Sequence, residues 1–179
     1  MKTPYLDLPA ARESDDAALT GVTQYLSGFL AQPNTALQAV GRPGKVCPFT
    51  RMALESNAIR FGRQAIDPHS PTAREDLMRA MREEHRERFF TEVDEVVSDR
   101  RFASLLVLID GPQSPEECDE LVSQTQKALQ PDFVTRGLLM SELHPHNTVP
   151  SLHNPQFFPS RPPHPFHFIR RIVERDIPF

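Results

Sequence analysis

The chain is poor in several residue types that define whole classes of protein. It contains no tryptophan, two cysteines and seven glycines among its 179 residues. Because the two cysteines lie far apart, a disulfide framework is not expected. No stretch approaches the roughly 18 consecutive apolar residues of a membrane span, and the N-terminus is too polar for a signal peptide. These absences predict a cytoplasmic protein with no membrane partner.

The charge pattern and the missing motifs exclude further classes. The net charge is −4 and the sequence has no lysine- or arginine-rich tract, so the basic footprint of a nucleic-acid-binding protein is missing. The G-x-G-x-x-G, Walker and G-x-S-x-G motifs are absent as well. Nucleotide binding and serine hydrolase chemistry therefore lose their usual support.

Proline is the residue type in excess. The chain has 18 prolines, and the part after His144 holds many of them together with most of the histidines. A chain of this length can bury one hydrophobic core, so we expect a single domain over residues 1–179. Its predicted parts are an N-terminal helical segment (1–34), a core (46–143) and a Pro/His-rich segment with a final helix (144–179).

Hydrophobic periodicity predicts alternating helices and strands. Strands are predicted over residues 58–66, 102–109 and 137–143. Helices are predicted after a cap at Ser14, after capping boxes that begin at Thr72 and Ser114, and from Phe166 to Arg175. The expected fold class is α+β, with a small, mostly antiparallel sheet of ferredoxin-like or related type packed by helices.

The apolar faces of the two central helices predict which side chains are buried. The helix after Thr72 carries one apolar stripe, formed by Leu77, Met81, Phe89, Val93 and Val96. His85 lies in line with this stripe, so we interpret it as a core histidine or as one that faces a cofactor. The helix after Ser114 carries Cys118 on its inner stripe, and this cysteine is expected in the core.

Cys47 is the first candidate for chemistry. It follows a Gly/Pro-rich loop and precedes a short helical segment, where backbone N–H groups stabilise a thiolate. Such a thiolate suits an axial haem ligand or a nucleophile. A buried cysteine with no chemical role fits the same pattern, and the sequence leaves the three interpretations open.

Histidines and arginines near the C-terminus are the next candidates. The histidines are His144, His146, His153, His164 and His167, and none has the spacing of a zinc site. Among these histidines His144 is the strongest candidate for a functional role, because it ends a predicted strand. The arginines are Arg136, Arg161, Arg170 and Arg171. Haem propionates, a carboxylate substrate or plain solvation would each account for the arginines.

Several short motifs follow one another in an order that resembles a known family. They are Val46-Cys47-Pro48-Phe49, Ile59-Arg60-Phe61-Gly62, Phe102-Ala103-Ser104 with Gly111-Pro112, Leu143-His144-Pro145, and His153-Asn154-Pro155-Gln156-Phe157. Together they resemble the YqcI/YcgG-type family, which includes haem-dependent N-hydroxylases of guanidine-containing substrates. The chain is also similar to a sister group from bacterial natural-product gene clusters, which shares an ending like Asp176–Phe179.

The resemblance implies a haem b enzyme of specialised metabolism that N- or C-oxygenates a small amino-acid-derived substrate. Iron would be held by Cys47, with His144 as the alternative ligand or as a catalytic group in the distal pocket. The resemblance places the other cofactor-binding residues at Phe49, Phe61, His153, Phe157, Arg161 and Arg170. An external electron donor or peroxide and a homodimer are the expected partners.

Departures from the family leave two alternatives. The chain is shorter than the N-hydroxylases, and residues 145–151 replace their arginine-rich segment. One alternative is a haem enzyme without oxygenase chemistry, catalysing dehydration or N–N bond formation. The other is a cofactor-free binding or accessory protein in which Cys47 is structural.

Overall fold

The computed structural model describes residues 3–173 of the chain. Within these residues the strands are β1 (Leu6–Asp7), β2 (Ile59–Ala65), β3 (Ser104–Asp110), β4 (Leu138–Leu143) and β5 (Phe166–Arg171). The shorter helices are α1 (Leu8–Arg12), α2 (Ala17–Tyr25, continued by the π-helical Leu26–Leu30), α3 (Thr35–Gln38) and α4 (Pro48–Glu55). A 3-10 turn, Arg100–Phe102, precedes β3.

Two long helices alternate between α and π geometry. The first, α5, covers residues 73–94 through Ala73–Arg79, the π-helical Ala80–His85, Arg86–Arg88 and the π-helical Phe89–Asp94. The second, α6, covers residues 115–135 through Pro115–Glu117, the π-helical Cys118–Ser123 and Gln124–Thr135. A π turn contains one more residue than an α turn needs, so it shifts the side chains that follow it around the helix.

The strands form one sheet in the order β1-β2-β3-β5-β4. β2 and β3 are parallel and are joined by the crossover helix α5, whereas the other three pairings are antiparallel. The fold class is therefore α+β with a mostly antiparallel sheet, as predicted. The adjacent parallel pair distinguishes this sheet from a ferredoxin-like one, which is antiparallel throughout.

Helices cover both faces of the sheet, and β3 is buried on both sides, as its continuous apolar run predicts. On the N-terminal face, α1, α2 and α4 pack against side chains that include Phe61, Leu106 and Phe168. On the opposite face, called the α5/α6 face below, the core includes Leu105, Val107 and Ile169. Successive side chains of a strand point to opposite faces of the sheet, so neighbouring residues pack against different helical layers.

The last predicted helix is wrong, because Phe166–Arg171 is strand β5 between β3 and β4. Ile169, Ile172 and Val173 have a spacing that a helix would also show, and the preceding prolines suit a helix start. The strand alternates instead, with Phe166 and Phe168 on the N-terminal face and Ile169 on the α5/α6 face. Burial on both faces hides this alternation from the sequence. Residues 174 and 175 of the predicted helix lie outside the described residues.

Other details of the helices both correct and confirm the prediction. The cap of α2 is Asp16, whose carboxylate accepts from the Leu19 N–H, and not Ser14. Thr72 makes no side-chain cap, since its hydroxyl donates to Asp76. The capping box that begins at Ser114 is confirmed.

The inner faces of the helices follow the predicted stripes with one exception. Cys118 is fully buried in the core, as predicted. Val96 is 57% exposed whereas Val97 is 7% exposed, because α5 ends at Asp94 and its period does not extend to these two valines.

Candidate functional site

A cleft beside β2, called the edge cleft below, is the best-formed candidate site. It opens beside the part of β2 that follows Phe61, where β1 no longer pairs with β2. Its volume of about 480 Å³ suits a small molecule. Its apolar lining consists of Pro4, Leu6, Leu19, Phe61 and Leu108. Arg63, Ala65 and Asp110 place it at the carboxyl ends of the parallel pair β2–β3, where ligands of parallel sheets usually bind.

A tyrosine and a histidine meet in the edge cleft. The Tyr5 hydroxyl lies 2.8 Å from Nδ1 of His85, and the two rings stack with centroids 6.0 Å apart. Burial raises the pKa of Tyr5, so the phenol keeps its proton at neutral pH. His85 is only 2% exposed, yet it lines the cleft. His85 is therefore shielded from bulk water, whereas the half-buried Tyr5 borders the space that a ligand would occupy.

Gly62 makes room for the Tyr5 ring. A Cβ atom on Gly62 would lie 2.7 Å from Cε1 and 3.0 Å from Cδ1 of Tyr5, well inside the normal contact distance of two carbon atoms. A lone glycine in a strand often marks such a close approach. Gly62 thus allows the ring to lie on the sheet next to His85.

Arg88 on α5 holds the N-terminal segment in place. Its guanidinium donates to the Thr3 carbonyl oxygen at 2.7 Å and stands 4.0 Å from the centre of the Tyr5 ring. Glu84 and Glu92, one turn before and after Arg88, bind the same guanidinium at 3.0 and 2.7 Å. The Arg88 charge acts against burial and stabilises negative charge on the Tyr5 oxygen.

The opposite wall of the edge cleft is a chain of paired charges. Arg63 donates to Asp16 at 3.1 Å and forms an ion pair with Asp110 at 2.8 Å. His164 Nε2 lies 3.1 Å from the Asp110 carboxylate but is not aligned for a hydrogen bond. The hydrogen bond from Arg63 lowers the pKa of Asp16. Because one guanidinium faces two carboxylates here, this wall disfavours an anionic ligand.

A larger cleft of about 620 Å³ adjoins the edge cleft and shares Ala65 and Glu84 with it. Its charged lining comes mainly from Asp67, Asp76, Glu83 and Arg79. Carboxylates on a helix surface are ordinary solvated groups. We therefore centre the site on the edge cleft, which combines an apolar floor with a hydrogen-bonded acid–base pair.

Cys47 lies elsewhere, half-buried on the N-terminal face directly before α4. Its N–H donates to the Leu30 carbonyl oxygen at 2.8 Å. Phe49 packs edge-on against Phe102 and Phe168, and Arg170 lies 4.6 Å from the Phe49 ring centre.

The two other predicted phenylalanines are packed on the same face. Phe61 is 3% exposed, and its side chain fills the core. Phe157 packs against Phe29 at the end of α2. Both rings are thus held by contacts within the fold.

His144 lies on the opposite side of the sheet from Cys47. Its Nε2 is 3.0 Å from the Ser123 hydroxyl of α6, and its buried Nδ1 has no hydrogen-bond partner among residues 3–173. Burial lowers the pKa of His144. His167, also on the α5/α6 face, is fully buried, and burial lowers its pKa to about 4.

The remaining predicted residues of the C-terminal segment are dispersed. His146 Nε2 lies 3.0 Å from the Gln113 carbonyl oxygen, and His153 is exposed. Arg161 donates to the Asn147 carbonyl oxygen at 2.6 Å and stacks on Phe158. Arg136 and Arg171 pair with Glu87 and Asp94 on α5.

The predicted haem residues, taken together, do not fit one haem site. A haem needs its axial ligand, its flat apolar walls and its propionate partners around one cavity. Cys47 and His144 lie on different faces of the sheet, and neither lines the edge cleft or the larger cleft beside it. Within residues 3–173, no three His, Cys, Asp or Glu side chains are placed to hold a metal ion. Haem binding stays a prediction of the sequence.

A comparison with known proteins gives the family of the chain. Residues 19–179 match a family described as a domain of unknown function, DUF6875. The chain belongs to the DUF6875 family. No curated protein and no solved structure matches it.

The DUF6875 match contributes Gly62 and His85 to the edge cleft, and Gln64 behind His85, whereas Tyr5 and Asp16 precede the matched residues. The cleft is therefore built jointly by the family domain and the segment before it. Among the described residues of the DUF6875 protein, no helix has the length and apolarity to cross a bilayer.

The sequence identifies only part of this site. His85 is predicted to be a core histidine or to face a cofactor; its burial is confirmed, and it also lines the edge cleft. Tyr5 is missed because it stands 80 positions from His85 in a segment with no periodicity. Gln64 is missed because a polar residue on the outer face of a predicted strand gives no sign of a specific contact. The isolated Gly62 within a predicted strand is the one signal that could have indicated the close contact.

Proposed function

We propose that the protein is an enzyme that moves a proton on a small, largely apolar substrate bound in the edge cleft. Tyr5 would contact the substrate, and His85 would stand behind Tyr5. The observation that carries this proposal is the 2.8 Å hydrogen bond between the Tyr5 hydroxyl and His85 Nδ1 on the wall of the cleft. Hydrogen-bonded pairs of this kind act as general acids and bases.

The proton transfer balances without any further reactant. A proton leaves an acidic C–H, N–H or O–H group of the substrate and goes to the Tyr5 oxygen, while the Tyr5 proton goes to His85 Nδ1. The substrate becomes an anion and His85 an imidazolium. Return of a proton to a different substrate atom completes an isomerisation, and loss of a leaving group from the anion completes an elimination.

The surroundings of the pair support this step. Arg88 lies over the Tyr5 ring and stabilises negative charge that develops on the phenol oxygen. Gln64 Oε1 lies 3.4 Å from His85 Nε2, where it stabilises the imidazolium. Partial burial strengthens both interactions, because it lowers the local dielectric constant.

The lining of the cleft disfavours an anionic substrate. Arg63 is shared by Asp16 and Asp110, and Arg88 is shared by Glu84 and Glu92. The carboxylates outnumber the two arginines, so an anion would be repelled, and the apolar lining suits a substrate without charge. A cytoplasmic location remains part of the proposal.

Binding at the edge cleft can be tested with a library of small uncharged compounds and protein-observed NMR. We expect compounds that bind to shift the resonances of Gly62 and His85. Ala65→Phe places a large ring in the cleft and should abolish these shifts. Ser141→Phe, at an equally exposed position on β4, is the matched control and should leave them unchanged. Shifts elsewhere only, or equal shifts in both variants, would remove the edge cleft as the site.

A further inference from the structure

We infer that Gln64 is a positioning residue that fixes the protonated nitrogen of His85, so that Nδ1 always faces Tyr5 as the acceptor. The catalytic value of this arrangement rests on the proposed function. The arrangement itself follows from hydrogen-bond directions on three residues, and it can be measured without a substrate.

The orientation of the Gln64 amide is set by the backbone. Its Nε2 donates to the carbonyl oxygen of Ala65 at 3.0 Å. A carbonyl oxygen only accepts hydrogen bonds, so the NH₂ group of Gln64 must lie on that side. The other end of the amide, Oε1, therefore points at His85 Nε2, 3.4 Å away.

The Gln64 oxygen decides where the His85 proton resides. Oε1 only accepts, so a hydrogen bond between it and Nε2 requires the proton on Nε2. In a neutral imidazole, Nδ1 is then left with a lone pair. Tyr5, at 2.8 Å from Nδ1, must therefore donate its hydroxyl proton to that lone pair. The opposite tautomer would place two lone pairs against each other between Gln64 and His85.

An amide suits this position better than a carboxylate. The charged groups near the pair are Glu84, Arg88 and Glu92 on α5, and the two carboxylates already bind Arg88. A third carboxylate at position 64 would hold His85 as an imidazolium, which has no lone pair to receive the Tyr5 proton. The neutral Gln64 directs the ring and leaves Nδ1 able to accept.

Long-range ¹H–¹⁵N NMR of the full-length protein with ¹⁵N-labelled histidine tests this inference directly, because it distinguishes protonated from unprotonated ring nitrogens. The His85 signals are assigned by their absence in His85→Gln. In the wild-type protein we expect one tautomer, with the proton on Nε2. Gln64→Leu should give a mixture of both tautomers, and Gln64→Glu, which keeps an acceptor at this position, should keep Nε2 protonated.

Controls separate this inference from a general loss of structure. Gln126→Leu removes a different glutamine, which also donates to a backbone carbonyl, that of Met140, and it should leave His85 unchanged. Thermal unfolding of each variant shows that the fold persists. A proton on Nδ1 in the wild type, or a tautomer unchanged by Gln64→Leu, would overturn the inference. Failure of the proposed function would appear instead as absent proton transfer with the tautomer as described.

Discussion

At the scale of single residues, Gly62 is the position on which the candidate site most depends. Its missing side chain lets Tyr5 lie on the sheet, and Tyr5 in turn reaches His85. The resemblance drawn from the sequence already includes Gly62 in a short motif, but it does not say what the glycine contacts. Only the fold brings residues 5, 62 and 85 together.

Gly62→Ala should destabilise the protein by about 1–3 kcal/mol, because the added methyl group overpacks against the Tyr5 ring. In a Tyr5→Ala background, which lacks that ring, the same change should cost less than about 0.5 kcal/mol. Urea unfolding of the four proteins gives the interaction free energy directly. Equal costs in both backgrounds would show that Tyr5 does not occupy the space above Gly62.

His167 should make stability depend on pH. Its pKa is lowered to about 4 by burial, against about 6.5 in an unfolded chain. The unfolded state therefore binds the proton more readily, so stability is full above pH ~6.5 and is lost as pH falls towards 4. The loss should be on the order of 3 kcal/mol. His167→Gln, which keeps a donor for the Val122 carbonyl oxygen, should show a smaller drop in unfolding free energy between pH 7 and pH 4.5. An identical drop in both proteins would refute this assignment.

At the scale of elements, the strands and helices were predictable where one periodicity dominated. β2, β3 and β4 agree with the predicted strands, because each combines an apolar run with turn residues at its ends. β5 was not predictable, since its residues are buried on both faces and match a helical spacing as well as a strand. β1 has two residues, too few for any pattern.

The π-helical stretches of α5 also escape sequence patterns, yet they position the site. His85 is the last residue of the stretch Ala80–His85, and π turns change the direction in which later side chains point. The predicted apolar stripe includes His85 correctly, since His85 is buried together with Leu77 and Met81. The stripe fails at Val96, where the helix has already ended.

The assignment of Phe166 to a central strand can be tested by stability. Phe166 is fully buried on the N-terminal face of the sheet, so Phe166→Ala should cost about 3–5 kcal/mol. Leu152→Ala is the control, because Leu152 is 92% exposed in the Pro-rich segment and should change stability by less than about 0.5 kcal/mol. Chemical denaturation measures both. A loss below about 1 kcal/mol for Phe166→Ala would contradict its central position.

At the scale of the whole molecule, the sequence predicts the fold class but not the site. Composition and pattern suffice for an α+β domain, because burial and periodicity act locally along the chain. The edge cleft depends instead on contacts between the first residues, β2 and α5, which no local pattern records. The residues that the sequence proposes for a haem site do not come together, because the sheet separates Cys47 from His144.

Haem binding can be decided by absorption spectroscopy of protein from haem-supplemented cells. The separation of Cys47 from His144 and from both clefts leads us to expect no Soret band that depends on Cys47. Wild-type protein and Cys47→Ala, each with added haemin, form the comparison. A stoichiometric Soret band in the wild type that Cys47→Ala abolishes would instead support the resemblance drawn from the sequence.

The central claim, proton transfer by Tyr5 and His85, is tested most directly by deuterium uptake. Compounds that bind the edge cleft are incubated with the protein in D₂O, and deuterium incorporated at carbon is followed by mass spectrometry. Tyr5→Phe keeps the ring on Gly62 and removes only the hydroxyl, so uptake should fall by about 100-fold or more. Tyr25→Phe is the matched control, because the Tyr25 hydroxyl donates to the Pro159 carbonyl oxygen away from the cleft, and its uptake should equal that of the wild type. Uptake that is unchanged in Tyr5→Phe, or absent for every compound bound in the cleft, would contradict the claim.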